Sequence, residues 1–79
     1  EPLWAGRELT WANPPREVGE GHLKAQLKRG SYALEAIGFG LFKEDLPKAP
    51  LEALFHLRRD RFRGRETIKM HLKELRGTS

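Results

Sequence analysis

The chain has 79 residues, 38% hydrophobic and 33% charged, with fifteen Lys/Arg against eleven Asp/Glu for a net charge of +4. That length holds one small globular domain with a modest core. Cysteine is absent, which excludes disulfides, cysteine-ligated zinc, iron–sulfur clusters and thiol catalysis, and fits a reducing compartment.

The first element, over about 7–19, reads as an edge strand. Leu9 and Trp11 alternate, but Pro14-Pro15 bars a central strand and predicts a break or bend there. Gly19-Glu20-Gly21 is the turn that follows. It lacks the third glycine, the lysine and the following helix of a phosphate-binding loop. His22–Lys28 alternates with period two: Leu23, Ala25 and Leu27 on one face, His22, Lys24, Gln26 and Lys28 on the other. Arg29-Gly30 reads as a tight turn into a second strand of this hairpin, 31–39, holding Tyr32, Leu34 and Ile37, with Gly38 and Gly40 marking a bulge or bend near its end.

A connector covers 41–50, punctuated by Asp45, Pro47 and Pro50, with Phe42 and Leu46 as anchors or as one short helical turn. Leu51, Ala53, Phe55 and Leu57 alternate as a strand over about 51–58, although Ala, Leu and Glu also favour a helical start. Arg58–Arg65 reads as a polar turn. A last strand, about 66–75, turns Ile68, Met70 and Leu72 inward and Thr67, Lys69, His71 and Lys73 outward. Five short strands in so small a chain predict an all-β barrel, because closure removes the edges that so few residues cannot cover otherwise. An SH3-like barrel competes. The longer connector between the third and fourth strands favours a five-stranded OB-fold, where a connector, often helical, sits at that point.

Charge is unevenly spread. Residues 22–29 carry Lys24, Lys28 and Arg29 and no acid, and residues 58–79 carry eight bases against Asp60, Glu66 and Glu74. The intervening stretches are mildly acidic. Two basic segments that met in space would form a cationic patch; the plain alternative is a solvated mixed-charge surface. Residue 1 is Glu, so a piece of a longer protein is expected. No apolar run approaches the roughly 20 residues of a membrane helix, no signal sequence opens the chain, and no membrane partner is expected. Asn13 and Gln26 are the only side-chain amides and Met70 the only methionine, a weak mark of a heat-adapted source.

Val18-Gly19-Glu20-Gly21-His22-Leu23-Lys24, followed by Leu34-Glu35-Ala36-Ile37-Gly38-Phe39-Gly40, resembles the C-terminal OB-fold region of the RecJ family of bacterial single-strand-specific DNA exonucleases. Glu1-Pro2-Leu3-Trp4 resembles the segment leading into that region. The stretch from Leu57 through Arg61-Phe62-Arg63-Gly64-Arg65 to Leu75-Arg76 resembles its closing hairpin. The resemblance spans nearly the whole chain and departs at Asn13-Pro14-Pro15, where the family usually has an uninterrupted β-branched strand; this puts the pairing of the first strand in question. It implies a cytoplasmic bacterial protein of DNA repair and recombination, with single-stranded DNA, the remaining nuclease domains and a repair protein as partners. Catalysis and its divalent metal, Mn or Mg, are implied for domains outside this chain. Here there is no Asp-His-His triplet and only Asp45 and Asp60, so no catalytic residue, metal ligand or cofactor is expected in this piece.

Lys24 and Lys28 lie two turns of the strand pleat apart, with Arg29 beyond them. Side chains two residues apart on a strand sit roughly 6–7 Å apart, close to the phosphate repeat of an extended single strand. Arg58, Arg59, Arg61, Arg63 and Arg65 surround Phe62, five arginines in eight residues. Both segments fall where OB-folds bind oligonucleotides, on the second and third strands and the first-to-second and fourth-to-fifth loops. Tyr32 and Phe62 are the candidates for base stacking, against a barrel role for Tyr32 and a loop anchor for Phe62. Trp4 and Trp11 read as core or interdomain packing. His22, His56 and His71 lack the spacing and carboxylate of a metal site and read as structural or surface groups. The rival classes are a structural or protein-interaction barrel, which closes the nuclease ring or docks a repair partner, and an RNA-binding barrel.

Overall fold

The computed structural model describes residues 2–78. Six strands make up the fold: β1 (Trp4–Trp11), β2 (Arg16–Val18), β3 (His22–Arg29), β4 (Tyr32–Gly38), β5 (Leu51–Phe62) and β6 (Arg65–Gly77). No helix is present among the described residues. β1 pairs with β5, β5 with β6, β6 with β4, β4 with β3, and β3 again with β1, so five strands close a ring. Every pairing is antiparallel except β4 with β6. This is the five-stranded Greek-key barrel of the OB-fold.

The expected first strand is two strands. β1 pairs with β5 from Trp4↔Phe55 to Leu9↔Leu51, then with β3 at Thr10↔Lys28 and Trp11↔Leu27. The change of partner follows a register shift between Gly6 and Leu9, where Glu8 takes a positive φ of 56°. A bulge of this kind bends a strand and lets it serve two neighbours. The prolines then interrupt the ladder, and β2 resumes it against β3 with Arg16↔Lys24 and Val18↔His22. The unbroken strand expected from the resemblance is therefore replaced by a bulge, a gap and a second short strand, with pairing to β3 kept on both sides of the gap.

The core is the inward phase of these strands: Leu9, Leu23, Leu27, Ala36, Leu51, Ala53, Met70 and Leu72. Leu23, Leu27 and Leu51 are fully buried. Small residues let the ring close tightly. A Cβ on Gly6 would stand 3.2 Å from the Phe55 ring, tighter than ordinary packing allows. The 39–50 connector forms no helical turn. Pro47 and Pro50 lack amide donors and disfavour helix in the residues before them. It packs Leu41, Phe42 and Leu46 against the core instead. The Trp11 indole donates to Pro47 O at 3.1 Å, and the Phe42 amide to Gly21 O at 3.1 Å. Trp11 thus ties the connector to the barrel. Leu51 begins a strand, not a helix.

The segment expected as a polar turn, 58–65, is mostly strand. The β5–β6 ladder continues through Arg58↔Lys69, Asp60↔Thr67 and Arg61↔Glu66 to Phe62↔Arg65. Only Arg63 and Gly64 turn, at φ 51° and 77°. Two successive positive φ values give the turn whose twist matches a hairpin. Apolar alternation does not announce this extension because residues 57–68 are exposed throughout. The result is a two-stranded ribbon projecting from the barrel.

Leu23→Ala is expected to cost about 2–5 kcal/mol, a large share of the roughly 4–12 kcal/mol available to a domain this size. Leu34→Ala, at a side chain 37% exposed, should cost far less. Urea midpoints of the two variants against wild type check the assignment of the core; equal losses would contradict it.

Candidate nucleic-acid interface

Because β4 and β6 run parallel, their first residues lie at the same end of the barrel. Tyr32 follows the Gly30-Ser31 turn and Arg65 follows the Arg63-Gly64 turn. The two basic segments therefore project from one end: Lys28 and Arg29 on the β3–β4 hairpin, and the arginines on the β5–β6 ribbon. Lys28, Arg29 and Arg65 are exposed and enter none of the ion pairs found among the described residues.

The ribbon divides its arginines between two faces, since registered partners share a face and neighbours alternate. Leu57, Arg59 and Arg61 continue the core-facing phase, together with Glu66 and Ile68. Arg59 Nε lies 3.2 Å and Arg61 Nη2 3.6 Å from the Glu66 carboxylate. One acid thus partly neutralises both. The opposite face carries Arg58, Asp60, Phe62, Arg65, Thr67 and Lys69, with Lys69 Nζ 3.3 Å from Asp60. Arg63 at the tip places its guanidinium 5.2 Å from the centre of the Phe62 ring, within the range of a cation–π contact. Phe62 is 71% exposed, so it does not anchor the turn to the barrel.

Tyr32 is 82% exposed and stands opposite Arg29 at the hairpin tip. It lies outside the packed barrel. Lys24 points outward from β3, with Nζ 3.3 Å from Glu35. Arg16 is its registered partner on β2, and together they line a shallow groove of about 470 Å³ with Asn13, Pro14, Gln26 and Glu35. Sequence reasoning missed Arg16. The turn length held the signal: if Gly19–Gly21 sets Val18 opposite His22, Arg16 must face Lys24. Lys69 was passed over as an ordinary outward strand residue. Trp4 is half exposed at the start of β1, beside exposed Leu3.

Away from this surface, Glu52 holds Arg76 across β5–β6 at 2.6 Å and Arg7 of β1 at 3.4 Å. These exposed pairs orient neighbouring strands and contribute little stability.

The ring order and the parallel β4–β6 pair define an OB-fold module. The RecJ OB domain family matches residues 1–74, and the chain belongs to it. No curated protein and no solved structure matches the chain significantly.

Glu66→Gln should release Arg59 and Arg61 and retain the domain on heparin to higher salt than wild type. Paired Arg63→Ala and Arg65→Ala substitutions should lower the elution salt. Elution of the Glu66 variant at the wild-type position would show that the carboxylate does not mask the ribbon.

Proposed function

We propose that the domain binds single-stranded DNA through its phosphates, with limited stacking and weak sequence preference, and holds the strand near a nuclease core elsewhere in a RecJ-like protein. The observation that carries this reading is the convergence of two cationic hairpin tips at one end of the barrel, each with an exposed aromatic: Arg29 with Tyr32, and Arg63 with Phe62. The tip at Arg63 adds support. A left-handed backbone costs a non-glycine residue about 1–2 kcal/mol, and Asn or Gly would fill the position more cheaply. Arginine there keeps a guanidinium over Phe62.

A second reading has its own observation. The core-facing side of the projecting strands exposes Leu34, Leu57 and Ile68, at 37%, 41% and 43%. With Arg59 and Arg61 held by Glu66, that side suits packing against a protein surface, such as another domain of the parent or a repair partner. On the ribbon the two readings use opposite faces, while at the β3–β4 tip Arg29 and Tyr32 share the phase of Leu34.

Fluorescence anisotropy of a labelled oligothymidine of roughly 15 nucleotides, near the upper OB-fold site size, tests the first reading at several salt concentrations, with duplex DNA and matched RNA alongside. Salt-sensitive binding that favours single-stranded DNA is expected. Removing Arg63 and Arg65 should lower the slope of log K against log salt by about 1.4, from about 0.7 per single-strand phosphate. Removing Arg59 and Arg61 should lower it less. Equal binding to RNA would favour the RNA-binding class, and no binding at low salt would leave the packing role.

A further inference from the structure

Phe39 follows β4 and is 62% exposed. A lone exposed apolar side chain is ordinary, but this one is held. The Gly40 amide donates to His22 Nδ1 at 3.0 Å, the Leu41 amide to Gly38 O at 3.2 Å and the Phe42 amide to Gly21 O at 3.1 Å. These bonds fix the turn that carries the ring. Two imidazoles meet Phe39 edge to face: His22 with centroids 5.3 Å apart at 74°, and His71 with centroids 6.0 Å apart at 61°. His56 continues the row as the registered partner of His71.

The same outer face supplies charge. Lys24, which also pairs with Glu35 at 3.3 Å, lies two residues beyond His22 on β3, and Arg16 is opposite it on β2. Lys69 lies two residues before His71 on β6. An exposed, oriented aromatic ring near such cations suits one ligand class above others: an unpaired nucleobase attached to its phosphates. Stacking supplies the apolar contact and tolerates any base, while the cations meet the backbone.

We infer that Phe39, flanked by His22 and His71, is a stacking platform for an unpaired base, with Arg16 and Lys24 placed for the adjoining phosphates. This rests on the single-stranded DNA reading and adds a subsite separate from the hairpin tips. Phe39 touches the base, and His22 positions the turn.

The test uses anisotropy with oligothymidine and with an abasic deoxyribose-phosphate strand of equal length, on wild type and on Phe39→Ala, Phe39→Leu and Phe39→Tyr. Phe39→Ala and Phe39→Leu should weaken oligothymidine binding by about 5- to 150-fold, leave the salt slope unchanged and leave the abasic strand unaffected. Phe39→Tyr should stay near wild type. Thermal melts by circular dichroism identify any variant that has lost its fold, and the Leu variant keeps the apolar bulk if the Ala variant loosens the turn. The platform is overturned if wild type binds oligothymidine and the folded Ala and Leu variants bind it equally well, or lose both strands to the same extent. Wild type that binds neither strand overturns the single-stranded DNA reading itself, and the platform with it.

Discussion

The ring closes through a parallel pairing of three residues on each strand, Glu35, Ala36 and Ile37 of β4 against Lys69, Met70 and His71 of β6. Without it the sheet would end in two open edges, β4 on one side and β6 on the other, each a template for aggregation. Its central pair, Ala36 with Met70, is buried in the core, so closure and core formation are one event. Direction matters as much as closure. A parallel contact sends the starts of both strands to the same end, which brings the β3–β4 tip and the β5–β6 tip to one side. The same register sets His71 beside Ile37 and within reach of Phe39.

The ribbon beyond that contact is built without a core of its own. A two-stranded hairpin alone is marginal in water. This one is continued from buried strands, carries a turn of matching twist, and has ion pairs on both sides, Glu66 with Arg59 and Arg61 on one and Asp60 with Lys69 on the other. Exposed pairs of this type add little to stability, but they decide where charge is left over. The excess falls at the tip, with Arg63 and Arg65, while the core-facing side is partly neutralised and apolar. Alternation along the strands thus divides one basic stretch into two surfaces with different chemistry.

Much of the barrel was legible in the sequence because one buried face imposes a period of two. Leu23, Ala25 and Leu27 showed it on β3, and Met70 and Leu72 on β6. The signal stopped where burial stopped. Arg58–Phe62 and Arg65–Thr67 pair without burying their side chains, which therefore follow no hydrophobic pattern, and the segment read as a turn. Ile68 kept the inward phase but lies past the barrel mouth, so phase did not guarantee burial. Arg16 was hidden by the two prolines before it. Phe39 was hidden in a different way: its neighbours Gly38 and Gly40 marked a bend, and its ring contacts come from β3 and β6, which only the folded registers bring together.

The two candidate regions lie at opposite ends of β4, Tyr32 at one and Phe39 at the other. Seven residues at about 3.3 Å each put them about 23 Å apart along the strand. At roughly 6–7 Å per nucleotide of extended chain, a single strand laid along β3 and β4 would cover that distance with about four nucleotides, the lower end of OB-fold site sizes. Lys28 and Lys24 lie on the outer face with Phe39, and Arg16 beside the latter, whereas Tyr32 and Arg29 fall in the core-facing phase, so such a path would have to round the β3–β4 tip to meet both. Few phosphates are met on so short a track, so electrostatics alone gives modest affinity at physiological salt. A stacking contact at the far end would add affinity that salt does not screen, and tethering to a nuclease core would supply the rest as effective concentration. On the proposed reading a small barrel would serve as a guide that orients a passing strand at two points, and tight binding would not be required of it.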